Sequence, residues 1–176
     1  ITYSQKDNIP DIKKARLALL GIKEDRKSIN NAGCKNAPNE IRKKLYDLSI
    51  PTYEMKMVDL GNIEMGNTPK DTYYATIEVV AELLHLNITP IILGGSQELV
   101  YAIYKAYEKQ GQIINIFTVD PRFDIGSEKD GVTSRSYLSE IVLSQPNFLF
   151  NYTLVSYQSY FVDKNLQTLM DDLHFD

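Results

Sequence analysis

The feature that most constrains this chain is an alternation of two patterns. Five short apolar runs rich in β-branched residues, at 15–22, 55–60, 89–93, 113–119 and 148–156, are separated by stretches with helical spacing. Strands joined through helices build a parallel sheet, because each parallel connection needs a crossover long enough to hold a helix. The first predicted helix covers 38–48, with Ile41, Leu45 and Leu48 on one face and Pro38 suited to its start. The second covers 71–86, where Ala75, Val79, Leu83 and Leu86 share a face, and the third 97–107, where Val100, Ile103, Ala106 and Tyr107 do. Two more are predicted at 134–143 and 163–173. The expected fold class is α/β, a three-layer α/β/α arrangement around a mainly parallel sheet.

A chain of 176 residues can bury roughly two thirds of its unfolded surface, enough for a real core. No repeat, low-complexity tract or Gly/Ser linker divides it, so one domain over 1–176 is expected. The sequence stops at Leu173-His174-Phe175-Asp176 with no helix-terminating glycine, as though cut within or just after an element. A sheet cut there would leave backbone and apolar surface uncovered, and the expectation is an N-terminal portion of a longer domain.

Composition removes several classes of function. A net charge of -4 without a dense basic stripe argues against nucleic acid, since phosphate binders need clustered Lys and Arg. No apolar run is long enough to cross a bilayer, and residues 1–14 are polar, unlike a signal peptide, so a soluble, cytoplasmic protein is expected. Cys34 is the single cysteine, which rules out an internal disulfide or a cysteine-based zinc cluster. It has no adjacent histidine or basic pair and reads as an incidental thiol. His85 and His174 are the only histidines, and both read as helix-end residues. The mixed charges of 23–27 read as solvated surface.

In an open parallel sheet, ligands bind beyond the carboxyl ends of the strands, which here are the segments 21–38, 93–98 and 118–130. In the last, Asp120-Pro121-Arg122-Phe123-Asp124 follows a strand directly, and two carboxylates so placed can converge on a hard divalent cation. In the second, Gly94 and Gly95 allow a tight turn into a helix capped by Ser96, or a close approach to a ligand. An anion at that helix start is a minor alternative, without the lysine and spacing of a nucleotide loop.

Together these segments resemble the ureohydrolase superfamily of arginase, agmatinase and formiminoglutamase. Gly21-Ile22-Lys23-Glu24-Asp25, Asn30-Asn31-Ala32-Gly33 and Ala37-Pro38-Asn39-Glu40-Ile41-Arg42 are similar to its first loop and helix, and Asp59-Leu60-Gly61-Asn62-Ile63 to its second strand end. Pro90-Ile91-Ile92-Leu93-Gly94-Gly95 leads into the position of its Gly-Gly-Asp-His motif, and residues 120–124 occupy that of its Asp-Ala-His-x-Asp motif. The tail, with Asn151, Tyr152, Tyr157, Gln158, Ser159 and Tyr160, resembles the formiminoglutamase-like branch. Those tyrosines are expected in the core, or against another half or a partner.

The resemblance implies two manganese ions bridged by a hydroxide that attacks a guanidino or formimino carbon. Asp120 and Asp124 match the family's ligands and are the metal candidates, whereas Ser96, Gln97 and Arg122 replace an aspartate and two histidines. Two further aspartates of the family come from a later strand that this sequence does not contain. Glutamine is a weak ligand and a guanidinium has no lone pair to offer, so no bound metal cofactor is expected. Arg122 is instead expected to neutralise the two aspartates through a bidentate pair. Asn30 and Asn31 are expected to border a pocket. The leading expectation is a catalytically inactive relative kept for binding a guanidino- or formimino-like molecule or a protein partner, with a homo-oligomer also allowed. The alternative is an active C–N hydrolase completed by a C-terminal half.

Overall fold

The computed structural model describes residues 12–49, 56–126, 131–162 and 164–173. His174 and the end of the chain, on which expectations were placed, lie outside them. Strand β1 (Leu17–Ile22) is central: it pairs in parallel with β2 (Met57–Ile63) on one side and β3 (Thr89–Leu93) on the other. Its sequence LALLGI is apolar throughout and buried from Ala18 onward, as a strand covered on both faces must be. Strands β4 (Ile114–Val119) and β5 (Leu149–Val155) form a second parallel pair. The α/β class and the parallel pairing are as expected. The strands fall into two ladders, however, ordered β2-β1-β3 and β4-β5, with no hydrogen-bonded pairing between β3 and β4 among the described residues.

Helices α1 (Ala37–Tyr46), α2 (Pro69–His85), α3 (Leu99–Lys109), α4 (Tyr137–Val142) and α5 (Lys164–Asp172) occupy the expected intervals. The start of α2 is fixed by a capping box: the Thr68 hydroxyl accepts from the Asp71 N–H at 3.3 Å, and the Asp71 carboxylate accepts from the Thr68 N–H at 2.7 Å. Its buried face includes the expected Leu83, with Val79 and Leu86 packed beside it, and extends further round the helix. Thr72, Tyr73, Thr76, Val80, Ala81 and Leu83 point inward, so two threonines share the core side. Thr76 satisfies its hydroxyl on the Thr72 carbonyl at 2.8 Å, and Thr72 donates to Glu24 at 2.8 Å. The buried face of α3 is likewise wider than expected: Leu99, Ala102 and Tyr104 are buried as well as Ala106, because this helix packs against both α2 and α4.

Helix α1 is held by a buried ion pair. Arg42 reaches Asp59 on β2 through Nε at 2.8 Å and Nη2 at 3.1 Å, while the Gly61 N–H, at 2.8 Å, and the Tyr46 hydroxyl also donate to Asp59. Gly21 makes this packing possible, since a Cβ there would overlap Asn62 Oδ1 and press on Pro38. On the other side of the molecule Tyr104, Tyr137, Leu138, Ile141, Tyr152, Leu154 and Met170 form one core that α3, α4, β5 and α5 share. Each fully buried leucine or isoleucine there contributes roughly 1.5–3 kcal/mol. Tyr152 is therefore a core residue, whereas Tyr157 and Tyr160 are exposed. Among the described residues no helix is long and apolar enough to cross a membrane.

Candidate functional site

The loops that follow β1 and β3 are locked together by a close backbone approach. A Cβ on Gly95 would overlap the Glu24 carbonyl oxygen, to which the Ser96 N–H donates at 2.9 Å. The Glu24 side chain is fully buried, contrary to the expectation that 23–27 is solvated surface. Its carboxylate accepts from Arg26 Nε at 2.9 Å, Arg26 Nη2 at 2.5 Å, the Arg26 N–H at 3.0 Å and Thr72 Oγ1 at 2.8 Å. Burial alone would raise its pKa, but the bonds from the Arg26 side chain and backbone and from Thr72 outweigh that and hold it at about 2. The neighbouring Glu98 is equally buried, and desolvation pushes its pKa up despite a bond from the Ser96 hydroxyl.

This scaffold presents Gln97 to the end of β4. Gln97 Nε2 donates to Asp120 Oδ2 at 3.0 Å, and the Arg122 N–H donates to Asp120 Oδ1 at 2.9 Å, so both oxygens of Asp120 are engaged. Asp124 is 5% exposed, and its Oδ2 has no hydrogen-bond partner among the described residues. Burial, then the charge of Asp120, lifts its pKa to about 7. The Arg122 guanidinium does not form the expected bidentate pair. It lies over the Phe161 ring, 4.1 Å from the centroid, because an apolar face displayed by the turn at Ser159–Phe161 lies within its reach.

Gln97, Asp120, Arg122 and Asp124 line one cavity of about 180 Å³. Ser28, Ile29 and Asn31 close it from the first loop, and Ser134 and Arg135 from the segment before α4. Those two walls are stitched by the Ile29 N–H to Ser134 Oγ at 2.9 Å and the Ser134 N–H to the Lys27 carbonyl at 3.1 Å. Asn31 is thus brought to the cavity. Asn30 is not among its lining residues and sits exposed at a left-handed φ of 61°. Gly94, Gly95 and Ser96 support the site from behind. The Ser96 N–H and hydroxyl are both engaged within the fold, and the Glu98 carboxylate stands at the start of α3, an arrangement unfavourable to an anion. Cys34 is near Ser28 Oγ at 3.6 Å, and burial raises its pKa, the opposite of an activated thiol. A larger hollow of about 720 Å³, lined by Tyr73, Tyr74, Ile77 and Tyr101 among others, contains none of the expected site residues.

Sequence reasoning missed Glu24, Ser134 and Arg135. Glu24 carried a usable signal, an acidic residue two positions after a fully apolar strand. Ser134 and Arg135 carried none, because only the fold brings them to the cavity.

Residues 15–161 match the family model described as the Arginase family, and the chain belongs to that family. It is 26% identical over 168 residues to a formimidoylglutamase of Streptococcus gordonii, covering 87% of this chain and 50% of that protein. An agmatinase of Pyrococcus horikoshii is 26% identical over 113 residues, covering 59% of this chain and 40% of the other. Among solved structures, formimidoylglutamase from Bacillus subtilis superposes with a TM-score of 0.81 at 18% identity, over 99% of this chain and 56% of that one. Formiminoglutamase from Trypanosoma cruzi with Mn2+ gives 0.82 at 18% identity, over 95% and 61%. The chain spans about half the length of the curated relatives it matches. The fold is arginase-like, and the closeness to formiminoglutamases is evident in both comparisons.

The family implies manganese at these strand ends. The four positions facing it here supply two carboxylates, an amide and a guanidinium. Among the described residues no three or more His, Cys, Asp or Glu side chains are grouped so as to hold a metal ion. Of these four side chains, the two carboxylates are the donors suited to a hard divalent cation.

Proposed function

We propose that this arginase-family domain binds a small molecule without hydrolysing it, and that the bond from Gln97 to Asp120 stands where a metal would otherwise draw the strand ends together. That bond, at 3.0 Å, is the observation that carries the reading. An amide N–H held against a carboxylate supplies the hydrogen bond that a cation would replace, without lowering the pKa of any water. The ligand class follows from Asp124, which lines the cavity and whose buried Oδ2 has no hydrogen-bond partner among the described residues. A guanidino- or formimino-like group has N–H donors suited to it, and the names of the relatives point to the same chemistry.

Titration calorimetry tests this with manganese chloride, agmatine, arginine and formiminoglutamate in turn. The expected result is saturable binding of at least one organic ligand without added metal, lost in Asp124→Ala. Stoichiometric manganese binding by the chain would overturn the reading.

A second reading is favoured by the retention of Asp120 and Asp124 together with the half-length coverage of the relatives. In it the domain is part of an active, metal-dependent C–N hydrolase whose remaining carboxylates come from another half. Metal-dependent release of formamide, urea or ammonia by the chain joined to such a half would establish it in place of the first.

A further inference from the structure

Helix α2 carries a second stripe beside its threonine-lined core side. Lys70, Tyr73, Tyr74 and Ile77 follow one another at helical spacing, so a cation, two aromatic rings and an aliphatic chain lie in a row along one side of the helix. All four line the hollow of about 720 Å³, to which α3 contributes Tyr101 and the segment before α4 contributes Val132. That volume falls among small-molecule sites, roughly 300–1,000 Å³. The hollow shares no lining residue with the strand-end cavity of about 180 Å³.

Its floor is continuous with the core. Tyr73 is 7% exposed and clusters with Ile22, Leu99 and Ala102, and Ile77 and Val132 pack against that cluster. A floor of close-packed side chains keeps its shape without an occupant. Tyr74, by contrast, is 66% exposed and brings an aromatic ring to the open side.

The charges are uneven. Lys27 and Lys70 are exposed and positive, and Glu140 is the one acid among the described lining residues. Asp71, next to Lys70, is not among them, because its carboxylate accepts from the Thr68 N–H at 2.7 Å and the Thr68 hydroxyl at 3.0 Å. The backbone of Lys27 is held by the Ser134 N–H, which donates to its carbonyl at 3.1 Å. Aromatic walls with two ammonium groups against one carboxylate complement a flat apolar body bearing a negative group. A cationic ligand would meet the lysines instead.

We propose that this hollow is a second binding site, for a planar aromatic molecule carrying one acidic group, its rings against Tyr74, Ile77 and Tyr101 and its acid toward Lys27 and Lys70. The proposal does not rest on what the strand-end cavity binds, since the two have separate linings.

The test titrates the 176-residue chain with anilinonaphthalene sulfonate, a fluorescent aromatic acid, and with phenylnaphthylamine, the same body without the acid. The expected result is saturable binding of one sulfonate molecule per chain, at least about threefold tighter than that of the neutral compound. Tyr74→Ala should weaken it at least about fivefold and Lys70→Glu at least about threefold. Both side chains are exposed, so the circular dichroism of each variant should match that of the unaltered chain. Phe117→Lys, on a 67% exposed residue of β4, should leave the affinity unchanged. Binding that survives both Tyr74→Ala and Lys70→Glu overturns the proposal, as does equal affinity for the neutral compound or the absence of saturable binding. Loss of binding in Phe117→Lys would overturn it by making the probe an adsorbate on exposed apolar surface, and loss in Arg135→Gln by placing the probe in the strand-end cavity.

Discussion

Gln97 and Asp120 lie 23 residues apart in sequence and are joined by one hydrogen bond of 3.0 Å from Nε2 to Oδ2, linking the end of β3 to the end of β4. The bond makes the amide a structural tie as well as a missing ligand. Restoring the two histidines of the family pattern, as Gln97→His with Arg122→His, is expected to raise manganese affinity at least about tenfold, or ~1.4 kcal/mol, over the unaltered chain. Titration calorimetry with manganese chloride reads this directly.

Gly95 has no room for a side chain, since its Cβ would overlap the Glu24 carbonyl oxygen. Gly95→Ala should cost at least about 2 kcal/mol, measured by urea denaturation, because backbone must move on one side or the other. The same shift should displace Gln97 from Asp120 and weaken ligand binding.

Acid should unfold the chain partly through Glu24. Its pKa is about 2 in the folded state against an ordinary 4.5, so its contribution is present above pH 4.5 and fades as the pH falls toward 2. The shift corresponds to about 3 kcal/mol. Glu24→Gln should therefore lower the melting temperature at pH 7 and narrow its difference from the unaltered chain at pH 3.

Arg42→Ala would leave Asp59, only 3% exposed, without its cation. The expected loss is about 3–5 kcal/mol by chemical denaturation. Arg42→Lys should recover only part of it, because an ammonium cannot span Asp59, Asn62 and the Gly61 carbonyl as the guanidinium does.

What could be read from the sequence was what depends on local pattern. The apolar runs located all five strands, and the motif positions singled out Asp120, Asp124, Gln97 and Arg122, which the fold does assemble around one cavity. Reading helices by apolar spacing alone found Val79, Leu83 and Leu86 of α2 but not Thr72 and Thr76, which are buried through hydrogen bonds that no hydropathy pattern encodes. The position of Glu24 just after an apolar strand was legible, but its burial was not, because that depends on a partner, Thr72, that lies 48 residues away. The placement of Arg122 over Phe161 was likewise out of reach, being decided between segments 39 residues apart.

That last contact bears on how the protein can be shortened for study. A version ending before Phe161 would release the Arg122 guanidinium from its aromatic seat and free it to turn toward Asp120 or Asp124. Such a trimmed protein could report a weak affinity for cations that comes from the trimming, so any measurement at this site should keep the chain through Phe161.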